Sequence, residues 1–112
     1  MNTESDSTAS ARCTAIEDVM GVLGKAYAGA ILKAALGGAT RFSDFKSATG
    51  VSDGVLSTRL KELSSRGFFK RQVDPGPPTV VRYVLTAAGQ DTKPLLDVIE
   101  KLAQTHKEAF QH

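Results

Sequence analysis

Hydrophobic side chains recur at steps of three and four residues through most of this 112-residue chain, a spacing typical of amphipathic helices. The pattern predicts four helices in the first 65 residues, over about 13–23, 25–36, 40–49 and 53–65. A glycine follows each helix closely and provides a natural stop. Thr40 is placed to cap the third helix, and Ser52 or Asp53 to cap the fourth.

The pattern changes after the fourth helix. Phe68–Val73 and Val80–Leu85 are rich in β-branched and aromatic residues, and a Pro/Gly loop joins them, which predicts a β-hairpin. A last helix is predicted from Thr86, with Gly89 and Pro94 loosening its first turns. Its apolar stripe consists of Leu95, Ile99, Leu102, His106 and Ala109. Such a stripe either covers the chain's own core or pairs with a second subunit, and the small core of a chain this short favours a dimer.

Two short helices that meet at a glycine turn and are followed by a hairpin have the order of a winged helix-turn-helix. The predicted fold class is therefore mainly α with a small β-hairpin, flanked by N- and C-terminal dimerisation helices. This unit places one helix in the major groove of double-stranded DNA and the hairpin beside the backbone. Eight Lys or Arg and four Asp or Glu give residues 41–82 a net charge of +4, whereas the whole chain carries +2. Positive charge is thus concentrated where phosphates would lie, although an ordinary solvated surface would also be charged.

The fourth predicted helix has two different faces. Leu56, Leu60 and Leu63 are spaced to pack on the core. Small or polar residues and a lysine fall on the opposite face, and Arg59 lies on the flank; the opposite face consists of Gly54, Ser57, Thr58 and Lys61. Hydroxyls can bond bases or phosphates, and the cations can neutralise phosphates or bind guanine. The alternative is a surface helix without a partner.

Composition excludes several classes of protein. Residues 1–12 are rich in Ser and Thr and are expected to be a disordered tail before a single domain at 13–112. No apolar run approaches a membrane span or a signal peptide, and a lone cysteine cannot form an internal disulfide, so a cytoplasmic protein is expected. The two histidines, His106 and His112, have no partners at metal-ligand spacing. No catalytic motif is recognisable, so neither an enzyme nor a cofactor or metal is predicted.

In this order, the motifs resemble the HxlR family of bacterial winged-helix transcriptional regulators, relatives of the MarR group. The similarity spans about residues 13 to 105. The matching motifs are Cys13, Leu23-Gly24-Lys25, Ile31-Leu32, Gly38, Arg41-Phe42-Ser43-Asp44-Phe45, Val51-Ser52, Leu56-Ser57-Thr58-Arg59-Leu60-Lys61-Glu62-Leu63, Gly67-Phe68, Arg71, Pro77-Pro78, Val81-Arg82-Tyr83-Val84-Leu85-Thr86 and Gly89.

The resemblance implies a homodimer that binds a roughly palindromic operator in double-stranded DNA. Repression is the expected outcome, because it is the commoner one for a compact dimer that occupies promoter DNA. The resemblance also implies that the terminal helices form the dimer interface. Carried over to this sequence, the DNA contacts would come from the fourth helix and the hairpin: Ser52, Ser57, Thr58, Arg59, Lys61, Arg71 and Arg82. The competing hypothesis is a winged-helix module that binds protein and has no specific DNA target.

The chain departs from the family where a tryptophan usually follows Gly-Lys, because Ala26 stands there and the chain has no tryptophan. The missing volume predicts a pocket for a small apolar or aromatic effector, lined by Met20, Ala26 and Tyr27. The alternative is that Tyr27, Phe110 and Met20 fill the volume.

The lone cysteine has two interpretations. In some members of the family an N-terminal cysteine senses oxidants or electrophiles, and a position just before a helix favours the reactive thiolate of Cys13. Glu17 and Asp18 in the first turn oppose that thiolate, and Thr14 replaces the proline that usually follows. A small packing residue is the alternative.

Overall fold

The structure is a computed structural model in which residues 14–111 are described. Within them the elements are α1 (Thr14–Leu23), α2 (Ala28–Leu36), α3 (Phe42–Thr49), α4 (Asp53–Ser65), β1 (Phe69–Asp74), β2 (Val80–Leu85), α5 (Ala87–Thr105) and α6 (Lys107–Phe110). A mainly helical fold with a two-stranded antiparallel hairpin was predicted, and it is confirmed. The tail predicted at 1–12, Cys13 and His112 lie outside the described residues.

A tight turn separates α1 from α2. The N–H of Gly24 donates to the carbonyl of Met20, which closes α1, and Tyr27 then adopts a left-handed backbone with φ of 69°. These residues bend the chain by 75° between the two helices. The prediction that α2 begins at Lys25 is therefore wrong, because residues 24–27 are used for the turn and the helix begins at Ala28.

Caps define the next two helices. The prediction that Thr40 caps α3 is wrong, because Arg41 holds the N-cap position. The carboxylate of Asp44 accepts hydrogen bonds from the N–H groups of Arg41 at 3.0 Å and Thr40 at 3.2 Å. These bonds lower the pKa of Asp44 from its ordinary value. Ser52 caps α4 as predicted, with its hydroxyl oxygen accepting from Val55 N–H.

The core lies between α2, α3, α4 and the start of the hairpin. Its largest fully buried side chains are Ile31, Leu32, Phe45, Leu56, Leu60 and Leu63. The three leucines of α4 are those that the helical spacing predicted. Phe69 joins the hairpin to this core through an edge-to-face contact with Phe45, at a centroid distance of 5.8 Å. Within the hairpin it makes a second edge-to-face contact with Tyr83, at 6.4 Å. Burying each such side chain contributes about 1.5–3 kcal/mol.

The two strands of the hairpin pair antiparallel, with Phe69 opposite Leu85 at one end and Asp74 opposite Val80 at the other. The predicted second strand is confirmed, and the first is shifted by one residue. The N–H of Tyr83 donates to the carbonyl of Thr40 at 2.7 Å, so the outer edge of β2 is tied to the loop before α3.

The last helix differs from its prediction at both ends. Gly89 and Pro94 do not loosen it, since α5 is continuous from Ala87 to Thr105. Gly89 is buried against the hairpin, where a Cβ would clash with the carbonyl oxygen of Phe68 and lie 2.7 Å from Leu85 Cδ2. Pro94 is exposed, so water can satisfy the helical carbonyl that lacks a partner there. His106 leaves the helical conformation with ψ of 51°, which ends the predicted stripe before Ala109.

No single helix among residues 14–111 has the length and apolarity to cross a membrane. Helices α1 and α2 meet that condition only as a pair, and the pair is bent.

Candidate nucleic-acid interface

An open cleft of about 640 Å³ lies between α4 and the hairpin. Its lining combines cations, hydroxyls and two aromatic rings: Ser57, Lys61, Ser64, Ser65, Phe69, Lys70, Arg71 and Tyr83. Within the described part of the chain, no carboxylate lies within 4.0 Å of the charged groups of Lys61, Lys70 or Arg71. Lys61 and Arg71 therefore border this concave surface without internal counterions, and Lys70 adjoins it, an arrangement that suits a polyanion.

The exposed face of α4 borders this cleft because the helix buries its leucines on the other side. Ser57, Thr58 and Lys61 are all exposed, as predicted. The hydroxyl of Thr58 donates to the carbonyl of Gly54 at 2.9 Å, so its oxygen keeps its lone pairs to accept a further hydrogen bond. Apart from the backbone of its own helix and its two chain neighbours, no atom of the described residues lies within 4 Å of a Cβ built on Gly54, so a second molecule can approach the backbone there closely.

The N-terminus of α4 is also accessible. Ser52 is exposed, and because its oxygen accepts the capping bond, its hydroxyl proton stays free to donate. Asp53 is the first residue of the helix, and the ammonium of Lys46 lies 2.5 Å from its carboxylate. This ion pair offsets the one negative charge at the helix start, which would otherwise repel a phosphate.

The hairpin presents its two predicted contact residues on different faces. Arg71 pairs with Tyr83 and shares the face of Phe69, which lines the cleft. Arg82 pairs with Gln72, one position along the register, and so lies on the opposite face. Lys70 pairs with Val84 and so shares the face of Arg82, which leaves Arg71 as the hairpin cation on the cleft face.

Arg59 is directed away from the cleft. Its side chain is only 19% exposed, its Nε donates to the carbonyl of Ala26 at 2.9 Å, and its Nη1 lies 3.7 Å from a carboxylate oxygen of Glu62. The structure thus brings Ser57, Lys61 and Arg71 together and places Arg59 at the turn between α1 and α2.

Sequence reasoning missed part of the lining. Lys70, Ser64, Ser65 and Tyr83 border the cleft but were not among the predicted contacts. The charge of Lys70, next to Arg71 on the same strand, was the signal that could have identified it. Nothing in the sequence alone points to Ser64 and Ser65.

The residues predicted to line an effector pocket lie at the surface. Met20 is 52% and Tyr27 54% exposed, and Ala26 is also exposed. Phe110 is 51% exposed, so these side chains do not close the region in a single chain either. A nearby groove of about 430 Å³ runs between α2 and α5 instead, lined by Gly29, Ala30, Lys33, Leu96, Ile99 and Glu100. The predicted pocket would need a second subunit to enclose it.

The predicted redox sensor, Cys13, lies outside the described residues. In residues 14–111 there is no group of three or more His, Cys, Asp or Glu side chains that could hold a metal ion.

Exposed apolar side chains are concentrated on the terminal helices. On α1 and the helix after the hairpin they include Ile16, Val19, Met20, Leu95, Val98, Ile99 and Leu102. The predicted stripe of α5 is therefore largely exposed, while Leu96 beside it packs against the chain's own core. Apolar surface of this extent commonly marks a protein interface.

A helix with a small, polar outward face, held beside a hairpin across a cationic cleft, defines a winged helix-turn-helix DNA-binding protein. Comparison with known proteins gives the particular family. The chain belongs to the HxlR-like helix-turn-helix family, whose pattern matches residues 22–111. The resemblance in the sequence motifs is thereby confirmed, and the protein is a DNA-binding transcriptional regulator rather than an enzyme.

Individual relatives agree with this assignment. The uncharacterized HTH-type transcriptional regulator YvaP of Bacillus subtilis is 38% identical over 92 residues, covering 81% of this chain and 85% of YvaP. The HTH-type transcriptional regulator YodB of Bacillus subtilis is 35% identical over 78 residues, covering 69% of this chain and 70% of YodB. The structure of YodB in its reduced form covers 78% of this chain and 86% of that one, with a TM-score of 0.70 and 31% identity. The redox regulator HypR in its reduced form shares the fold, with a TM-score of 0.77 at 23% identity over 85% of this chain and 95% of HypR.

Proposed function

We propose that this protein is a cytoplasmic homodimeric repressor that binds a roughly palindromic operator through the cleft between α4 and the hairpin. The observation that carries the proposal is the pair of cations that face the cleft: Lys61 and Arg71 have no counterion among the described residues. Lys70, equally without a counterion there, adjoins the cleft from the other face of β1. Bound phosphates would supply the missing negative charge and release condensed counterions from the DNA.

The contacts divide by chemistry. Ser57 and Thr58 would meet base edges, where a threonine methyl suits a thymine methyl and the lone pairs of the Thr58 hydroxyl suit an amino group. Lys61, Lys70 and Arg71 bind phosphates, and Ser52 donates its hydroxyl proton to a phosphate at the start of α4. Arg82 contacts the backbone from the opposite face of the hairpin.

Dimerisation uses the apolar faces of α1 and α5. Ile16 and Val19 on α1, with Leu95, Ile99 and Leu102 on α5, are exposed in the single chain and gain from burial against a second copy. A two-fold dimer would hold the α4 helices of its two subunits, called the recognition helices below, over half-sites about 34–36 Å apart, one turn of DNA. Occupied promoter DNA excludes RNA polymerase, which is why repression is the proposed outcome.

The repressor is proposed to respond to a small apolar or aromatic molecule, or to an oxidant or electrophile. The relative YodB has been solved in a reduced and in a diamide-treated form, and Cys13 stands immediately before α1 in this chain. A ligand would be held by Met20, Ala26 and Tyr27 once a partner subunit covers them. Any signal must favour one arrangement of the two recognition helices over the other to change DNA affinity.

Two variants separate these signals. Cys13→Ser should abolish a response to diamide and keep a response to a ligand, whereas Ala26→Trp should do the reverse, because the indole would fill the proposed pocket. Promoter occupancy, measured by fluorescence anisotropy with and without each signal, is the assay. A Cys13→Ser protein that still leaves DNA after diamide treatment rules out the cysteine as sensor, and full inducibility of Ala26→Trp rules out the pocket.

Binding to the intergenic DNA beside the protein's own gene tests the main proposal. Footprinting should protect a two-fold symmetric site, and binding should weaken steeply with salt, while a shuffled sequence of equal length binds poorly. Addition of the protein to an in vitro transcription reaction from that promoter should lower transcript yield. Equal binding to native and shuffled DNA would contradict the proposal and favour the alternative module that binds protein instead.

A further inference from the structure

The turn between α1 and α2 is held from outside by the recognition helix. Two of its carbonyls have local partners: Lys25 accepts from Ala28 N–H at 3.1 Å, and Tyr27 accepts from Ile31 N–H at 3.0 Å. The carbonyl between them, on Ala26, accepts from Nε of Arg59 on α4. A side chain 33 positions away in sequence therefore completes the hydrogen bonding of this turn.

A second contact joins the same two elements. Glu62 lies one helical turn after Arg59, 3.7 Å from Nη1 of that arginine and 3.4 Å from the ammonium of Lys25. The turn is thus fixed to α4 through a backbone carbonyl and through a side chain. Arg59 and Glu62, with their contacts to Ala26 and Lys25, are called the Arg59–Glu62 cluster below.

The turn is a place where such support matters. Tyr27 holds a left-handed backbone, which costs free energy for a residue with a Cβ and persists only where its surroundings enforce it. This residue belongs to the turn that bends the chain by 75° between α1 and α2. Loss of the external contacts would let the bend relax toward other angles.

We propose that the Arg59–Glu62 cluster fixes the angle of α1 to the recognition helix, so that Arg59 sets the half-site spacing and does not touch DNA. This inference rests on the proposed homodimer, in which α1 belongs to the interface. Helix α1 is about 15 Å long for its ten described residues, so a rotation of about 10° at the turn displaces its far end by about 2.6 Å. When both subunits rotate in this way, the displacements add to about 5 Å, which exceeds the rise of one base pair, about 3.4 Å.

The neighbouring Lys61 provides a matched comparison on the same helix. Its side chain lines the cleft, whereas the guanidinium of Arg59 is engaged at the turn. Lys61→Ala should therefore weaken binding to every operator and keep the spacing preference. Arg59→Ala should retain affinity for an isolated half-site and lose the preference for the native spacer over spacers one base pair shorter or longer.

The distance between the helix-turn-helix units of the two subunits can be measured directly. A spin label on Ser47→Cys, an exposed position of α3, in a Cys13→Ser background reports the separation of the two subunits by pulsed dipolar spectroscopy. Wild type and Lys61→Ala should give one narrow distance distribution, and Arg59→Ala a broad one. Glu62→Gln should also broaden it, and it serves as the second variant if Arg59→Ala does not fold.

The outcomes separate the two proposals. A narrow distribution in both Arg59→Ala and Glu62→Gln, with the wild-type spacer preference retained, overturns the role of the cluster and leaves the dimer intact. The absence of dipolar coupling between subunits in the labelled wild-type protein overturns the proposed dimer, and this inference with it. Broadening together with loss of spacer preference supports the assignment.

Discussion

Lys61→Ala should make operator binding less sensitive to salt while leaving the fold unchanged. Lys61 is exposed on α4, lines the cleft and has no carboxylate within 4.0 Å among residues 14–111. Its removal therefore leaves no buried charge unpaired. In a dimer the substitution removes two phosphate contacts, which lowers the slope of log K against log salt by about 1.8.

That change in slope is large enough to measure. Between about 50 and 200 mM salt, the wild type should lose roughly tenfold more affinity than the variant. Fluorescence anisotropy with labelled operator over this range gives both slopes. Lys33→Ala is the matched control, because Lys33 pairs with Glu100 between α2 and α5, away from the cleft. An unchanged slope for Lys61→Ala, or an equal change for Lys33→Ala, would refute the placement of α4 against DNA.

Three further predictions follow from other parts of the molecule. Ile99→Lys, at an exposed position of α5, should leave the subunit folded but convert the dimer to a monomer and abolish operator binding. A sedimentation-velocity experiment in which the variant is still a dimer would contradict this prediction. Gly89→Ala should destabilise the protein by about 1–3 kcal/mol, because a Cβ clashes with the hairpin. In the control variant, Gly54→Ala, the added Cβ meets open space and should stabilise α4 by up to about 1 kcal/mol while weakening DNA binding. Chemical denaturation gives the free energy of unfolding of both variants, and an equal change in the two would count against the packing argument. The N–H groups of Arg41 and Thr40 lower the pKa of Asp44 in the folded protein. The carboxylate therefore stabilises the folded state fully above its ordinary pKa of 3.8, and this stabilisation is lost as pH falls through the lower pKa of the folded protein. Asp44→Asn should therefore melt below the wild type at neutral pH, with the difference shrinking in acid; a constant difference in melting temperature from pH 7 to 3 would be inconsistent with the cap.

The elements that sequence predicts well are those whose pattern and local chemistry agree. Helix α4 combines a Ser52 cap with leucines at steps of four and three, and both features appear in the structure. The hairpin combines β-branched strands with a proline-rich loop that cannot continue a helix. Burial of one face dictates these patterns, so they are visible without tertiary information.

The errors arise where a distant or unusual local feature decides the structure. A left-handed backbone at Tyr27 is uncommon for an aromatic residue, so nothing in the sequence indicated that α2 would begin after it. The carboxylate of Asp44 caps α3 from inside the helix and replaces the hydroxyl of Thr40. The orientation of Arg59 depends on a carbonyl far away in sequence, and helical periodicity placed it only on a flank.

The turn between α1 and α2 connects the two proposals about control. Ala26 contributes its side chain to the proposed effector pocket, and its carbonyl is the acceptor of Arg59. A ligand that fills the space beside Ala26 would therefore act on the same turn that the Arg59–Glu62 cluster holds. Such a ligand changes DNA affinity only if it binds the two arrangements of the recognition helices unequally. Arg59→Ala, in which the turn no longer fixes that arrangement, should then bind the effector and fail to transmit it, a dissociation that a ligand acting directly in the DNA cleft would not produce.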